Sequence, residues 1–138
     1  MTIQTRIAAS FDLQNMMQTL GATLVSANDG QCEIRAPILS GSLQQHGFGH
    51  AGLTFSIGDS AAGYAALSVM PEGYEVLTSE IKINLLAPAK GDHLLARGKV
   101  VKPGKRLLVV TAEIFAITGN QETLIAILQG TMVPMAPR

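Results

Sequence analysis

Gln44-Gln45-His46-Gly47-Phe48-Gly49-His50-Ala51-Gly52 opens an Ala/Gly-rich apolar stretch that runs on through Leu53-Thr54-Phe55-Ser56-Ile57-Gly58-Asp59 to Met70. Between Arg35 and Glu72 the only formal charge is Asp59. The spacing predicts one helix from about Gly49 to Val69, stopped by Pro71 and Gly73 and too apolar to face water anywhere. Such a helix must be wrapped by other elements. A carboxylate set in apolar surroundings loses hydration, so Asp59 needs a partner or a chemical task.

The segments on either side supply the wrapping. Phe11, Leu13, Met16, Met17 and Leu20 keep a three-to-four spacing up to Gly21, which predicts a short N-terminal helix over about 10–20. Residues 22–27 and 31–38, separated by Asn28-Asp29-Gly30, read as a β-hairpin with an Asp-Gly turn. After the long helix, residues 74–86 alternate, with Leu77, Ser79, Ile81, Ile83 and Leu85 on one face and Thr78, Glu80, Lys82 and Asn84 on the other. Residues 92–101 and 105–118 flank the turn Lys102-Pro103-Gly104, and 122–133 follow Gly119-Asn120. The expectation is an α+β fold, a curled, mostly antiparallel sheet of about five to six strands around one long central helix.

Composition narrows the function. The chain has 138 residues, suited to one domain over 1–138 with its core at about 20–135. Ten acidic residues balance ten basic ones and only 14% of residues are charged, which argues against nucleic-acid binding. So little charge at this length points to a surface partly covered by another subunit. Cys32 is alone, which excludes a disulfide framework, fits a reducing compartment and, with no secretory signal evident, leads to an expected cytoplasmic location. The run 51–70 is long enough to span a bilayer, but the central Asp59 and the absence of basic flanks make it a buried helix. No metal-ligand spacing is present among the histidines and the cysteine.

Gly47-Phe48-Gly49-His50-Ala51-Gly52 is a literal G-x-G-x-x-G, yet it follows a polar segment and no βαβ unit surrounds it, against a dinucleotide site. It reads either as a flexible entry to the helix or as a helix start left open for a ligand. In the second reading the free amides of Ala51 and Gly52 and the positive end of the helix dipole suit a developing oxyanion, and the glycines admit a close approach to the backbone. His50 and Asp59 are nine residues apart, which in a helix means opposite faces and roughly 13 Å of rise. If both serve one site, the second must come from another copy of the chain.

The pattern Gln44…Gly47…His50-Ala51-Gly52…Asp59, followed by Thr78…Asn84-Leu85-Leu86-Ala87-Pro88-Ala89-Lys90-Gly91-Asp92, resembles the hotdog-fold acyl-CoA thioesterases, in particular their phenylacetate-degradation branch. The resemblance spans roughly residues 20–133. It implies hydrolysis of an acyl-CoA or aryl-CoA to the free acid and CoA, at a site shared between subunits of a homodimer or dimer of dimers, with CoA only as part of the substrate and no metal or other cofactor. It implies Asp59 as the catalytic carboxylate, acting as general base on water or as nucleophile. Ala51, in place of the first motif glycine, would polarise the thioester carbonyl through its amide. His50 and Gln44 would orient substrate or water, and Thr78 would help to hold that water. Gln44 stands where the family has Asn, one methylene longer, with Gln45 as its alternative; a one-residue slip would replace Thr78 by Ser79. Gly47 and Gly52 complete the candidate substrate-binding loop.

Two other readings compete with hydrolysis, a binding module that holds acyl-CoA without turnover and a hotdog hydratase or dehydratase. Lys90, Lys102, Lys105 and Arg106 read as a solvated cluster that could also meet CoA phosphates. His46 and His93 are expected to be exposed.

Overall fold

The computed structural model describes residues 2–138. The chain runs α1 (Ile3–Asp12), α2 (Asn15–Thr19), β1 (Thr23–Asn28), β2 (Gln31–Pro37), a 3-10 turn (Ser40–Ser42), α3 (Ala51–Leu67), β3 (Glu75–Leu85), β4 (His93–Lys102), β5 (Leu108–Thr118) and β6 (Gln121–Met135). The six strands make one antiparallel sheet in the order β1-β2-β4-β5-β6-β3. α3 packs against every strand of it. This is the α+β architecture, a six-stranded sheet around one central helix, that the sequence predicts.

The β1–β2 hairpin turns through Asp29 (φ 51°) and Gly30 (φ 79°), two successive left-handed residues that match the twist of the flanking strands. The helix can sit close to the sheet because the residues between them are small. A Cβ built on Gly98 of β4 would lie 2.3 Å from the carbonyl oxygen of Ala61, so β4 tolerates only glycine where α3 crosses it. Ile57, Ala61, Ala62 and Ala65 of α3 are fully buried with Ile34, Leu94, Val110, Ile114 and Met132 of the strands.

Four expectations change. The single helix over 10–20 is two helices. The apolar stripe continues upstream through Ile7, Thr2 caps α1 by accepting from the Thr5 amide, and the chain breaks at Gln14, which is extended (φ −82°, ψ 100°). The central helix begins at Ala51, not Gly49, and it does face water: Gly52 is exposed, and Phe55, Ser56, Asp59 and Ser60 are half-buried along one stripe. The α1–α2 pair covers only the C-terminal half of α3. There Arg6 donates to the Leu67 and Met70 carbonyls and the Phe11 ring packs 6.1 Å from that of Tyr64.

The third change concerns β3. Its register against β6 shifts between Thr78 and Glu80, with Thr78 opposite Met132 and Glu80 opposite Thr131. Ser79 is therefore the extra residue of a β-bulge. Strict alternation would put Thr78 on the face opposite Ile81 and Ile83. With the bulge, Val76, Ile81 and Ile83 all pack against the core, and Thr78 turns toward α3 with them. Finally, His93 is half-buried; burial lowers its pKa, the Arg35 charge adds to that, and Asp92 opposes it.

Candidate active site

Asp59 sits in the middle of α3, on the half-buried stripe, where neither the sheet nor the N-terminal helices close over it. Thr78 Oγ1 donates to Asp59 Oδ1 at 2.7 Å. The same hydroxyl lies 3.3 Å from Sδ of the buried Met132 on β6, which backs it from the core side of the sheet. Only one carboxylate oxygen is engaged in this way, so Oδ2 is left without a donor among the described residues. A cavity of about 280 Å³ opens beside the pair, lined by residues of α1, the joint between α1 and α2, α3 and β3 that include Ser10, Gln14, Ser60, Tyr64 and Glu75.

The start of α3 forms a second centre. His50 is its N-cap, in extended conformation (φ −66°, ψ 145°), and its Nδ1 accepts from the Gly52 amide at 2.7 Å. The cap uses up one of the free amides of the first turn. The Ala51 N–H has no acceptor among the described residues and stays available. Gln44 holds the preceding loop closed: its Oε1 accepts from the amides of His46 and Phe48, and its own N–H donates to the Phe48 carbonyl at 2.8 Å. Gly49 ties the loop to the connection between β3 and β4 by donating to the Ala89 carbonyl at 2.8 Å. A cavity of about 330 Å³ lies at this end, lined by Gln44, His50, Ala51, Thr54, Leu85 and Ala89 among others.

The candidates thus fall into two groups. Asp59 and Thr78 meet in one cavity, Gln44, His50 and Ala51 in the other, and no lining residue is common to both. Gly47, with φ 86°, supplies the left-handed turn of the loop. Gly47, Gln45 and Gly52 are exposed and line neither cavity. β3 connects the two groups, with Thr78 near its beginning and Leu85 at its end. It is an edge strand, so one side of its backbone has no partner strand among the described residues.

Residues 46–123, more than half of the chain, match the family model described as the thioesterase superfamily. The chain belongs to the thioesterase superfamily. Among solved structures, a thioesterase family protein from Silicibacter pomeroyi is similar to this member over 94% of this chain and 96% of its own, at 42% identity and a TM-score of 0.91. The acyl-coenzyme A thioesterase PaaI of Escherichia coli is 28% identical over 88% of this chain and 84% of its own. Its structure, described as the PaaI protein of the phenylacetic acid degradation operon, superposes with a TM-score of 0.83. These likenesses place the chain among superfamily hydrolases of hotdog-like fold.

Sequence reasoning passed over Ser10 and Gln14, which stand in the cavity of Asp59 although they come from the N-terminal segment. Their signal was present: two polar side chains at i and i+4 beside the buried Ile7 and Phe11. Tyr64 of α3 lines the same cavity, whereas Leu53 is buried and lies outside it.

Proposed function

We propose that the protein hydrolyses an acyl-CoA or aryl-CoA thioester, as a member of the phenylacetate-degradation branch, at a site built from two copies of the chain. The observation that carries this reading is the Thr78–Asp59 hydrogen bond at the open stripe of an otherwise buried helix. A half-buried carboxylate with one oxygen held and one free suits a general base that takes a proton from water. The water then attacks the thioester carbonyl, and the carbonyl oxygen gathers negative charge. The free Ala51 amide, at the positive end of α3, suits that charge. Collapse of the tetrahedral species expels the CoA thiolate and leaves the acid. His50 and Gln44 shape the same helix entry and orient the ester and the water.

One chain cannot bring these groups together, because residues 50 and 59 are separated by roughly 13 Å of helix rise. Antiparallel pairing of two β3 edges supplies the missing proximity. An axis between Ile81 and Lys82 sets the Thr78 end of one strand beside the Leu85 end of the other. The Asp59 cavity of each copy then adjoins the Ala51 cavity of the other. The exposed apolar side chains Leu77, Leu85 and Leu86 on and beside this strand support a covered edge. A panel of short, long and aromatic acyl-CoAs, assayed for free thiol, tests the activity. Thiol release by the wild type that persists unchanged in Asp59→Asn removes Asp59 from the mechanism.

A further inference from the structure

The cavity beside Asp59 does not end in hydrocarbon. Gln14 Nε2 donates to the Tyr64 hydroxyl at 2.7 Å, and Ser10 Oγ lies 3.1 Å from the same oxygen. These side chains come from α1, from the joint between α1 and α2, and from α3, and all line the cavity. Docking of the N-terminal segment does not require them, because Ile7, Phe11 and Met17 already bury its apolar stripe. Desolvating a phenol and a carboxamide costs free energy that Phe and Leu would avoid. After the two bonds are made, Gln14 Oε1 has no donor among the described residues, so the cluster offers an unused acceptor.

The remaining lining limits the ligand. Its charged members, Asp59 and Glu75, are both acids, which opposes an anionic end group. Asp59 and Tyr64 lie five residues apart on α3, roughly 7.5 Å of helix rise, so a chain that reaches from one to the other is short. The geometry points to Ser10, Gln14 and Tyr64 as the residues that select the acyl group, for a short chain ending in a neutral hydroxyl. Its O–H donates to Gln14 Oε1, and its oxygen accepts from the Ser10–Tyr64 hydroxyl pair. This assignment rests on the thioesterase reading above for the orientation of the acyl group, with the carbonyl at Asp59 and the tail toward the N-terminal helices.

Three six-carbon esters test it: hexanoyl-CoA, 6-hydroxyhexanoyl-CoA and adipoyl-CoA. Turnover is measured on the wild type and Kd on the Asp59→Asn protein, which reads selectivity without hydrolysis. The hydroxylated ester should exceed hexanoyl-CoA by about tenfold in kcat/KM and in affinity, the net worth of its two neutral hydrogen bonds after the hydroxyl is desolvated, and adipoyl-CoA should fall below both. Gln14→Leu and Tyr64→Phe, made separately and checked for fold by thermal melting, should each bring the ratio toward one. A Kd preference without hydrolysis keeps the selectivity and rejects the thioesterase reading. Equal rates on all three esters, no binding of any of them, or a ratio that survives both variants overturns the assignment.

Discussion

Thr78 Oγ1 donates to Asp59 Oδ1 at 2.7 Å, and this bond joins the edge strand of the sheet to the middle of the central helix. It fixes the carboxylate rotamer and leaves the second oxygen to act. Asp59→Asn keeps the volume and removes the proposed base, so kcat should fall by about 10²-fold or more with the melting temperature little changed. Thr78→Val keeps the shape and removes the donor, and kcat should fall by about 10–100-fold through misplacement of Asp59. Thr78→Ser should recover most of that loss. A purely structural Thr78 would show the reverse, with Thr78→Val melting early and turning over normally.

The proposed oxyanion donor can be deleted without disturbing its helix. Ala51 is the first residue of α3, a position that favours proline because its N–H has no partner inside the helix. His50 already has the extended backbone that a residue before proline requires. Ala51→Pro should fold as the wild type does and lose about 10²–10³-fold in kcat, the usual cost of one oxyanion donor. Circular dichroism and thiol release on the same sample check both halves.

Close packing of helix on sheet makes its own prediction. The Cβ of a Gly98→Ala chain would meet backbone atoms, 2.3 Å from Ala61 O and 2.7 Å from Ala62 N, which no rotamer relieves. Overpacking at one methyl costs about 1–3 kcal/mol where side chains yield, and here more because backbone must move. Gly98→Ala should therefore be recovered mainly in insoluble form, whereas Gly119→Ala, at a turn with open space around it, should show only the modest strain of its left-handed backbone.

Cys32 gives the fold a signature at alkaline pH. It is buried in β2, and burial, with help from the charge of Glu33, pushes its thiol from 9.0 up to about 12. Between those values the unfolded chain has lost the proton that the native chain keeps, so stability falls as pH rises from about 9 toward 12. The slope approaches about 1.4 kcal/mol per pH unit, and below pH 9 the group contributes none. Urea midpoints across this range should fall more steeply for the wild type than for Cys32→Ala. Parallel curves would contradict the assigned burial.

The sequence made the fold legible because its strongest signals were local. A long apolar helix, an Asp-Gly hairpin and alternating strands are each written in a few consecutive residues. The pairing of Thr78 with Asp59 was harder to read. Alternation along 74–86 placed Thr78 with Glu80 and away from Ile81 and Ile83, and the bulge at Ser79 reverses that without leaving any mark in the pattern. The same limit hid Ser10 and Gln14. Their place in the cavity depends on where two short helices dock, which is decided by the buried contacts of Ile7, Phe11 and Met17. The capping of Gly52 by His50 is a rotamer choice, and spacing does not encode rotamers.

The two-copy site permits a test that a site within one chain would fail. Asp59→Asn removes the base, Ala51→Pro removes the amide, and each homodimer should be nearly inactive. Co-refolding the two variants gives hybrids in which one site carries both lesions and the other carries neither. The intact site joins Asp59 of the Ala51→Pro chain to Ala51 of the Asp59→Asn chain. Half of a random mixture is hybrid, each hybrid with one working site of two, so about a quarter of wild-type activity should return. The gain should vanish when Leu85→Glu, which sets a charge at the proposed β3 seam, is added to both chains, and sedimentation should then show monomers. A mixture no more active than its parents shows that base and amide do not combine across two chains and removes the pairing of β3 edges from the mechanism.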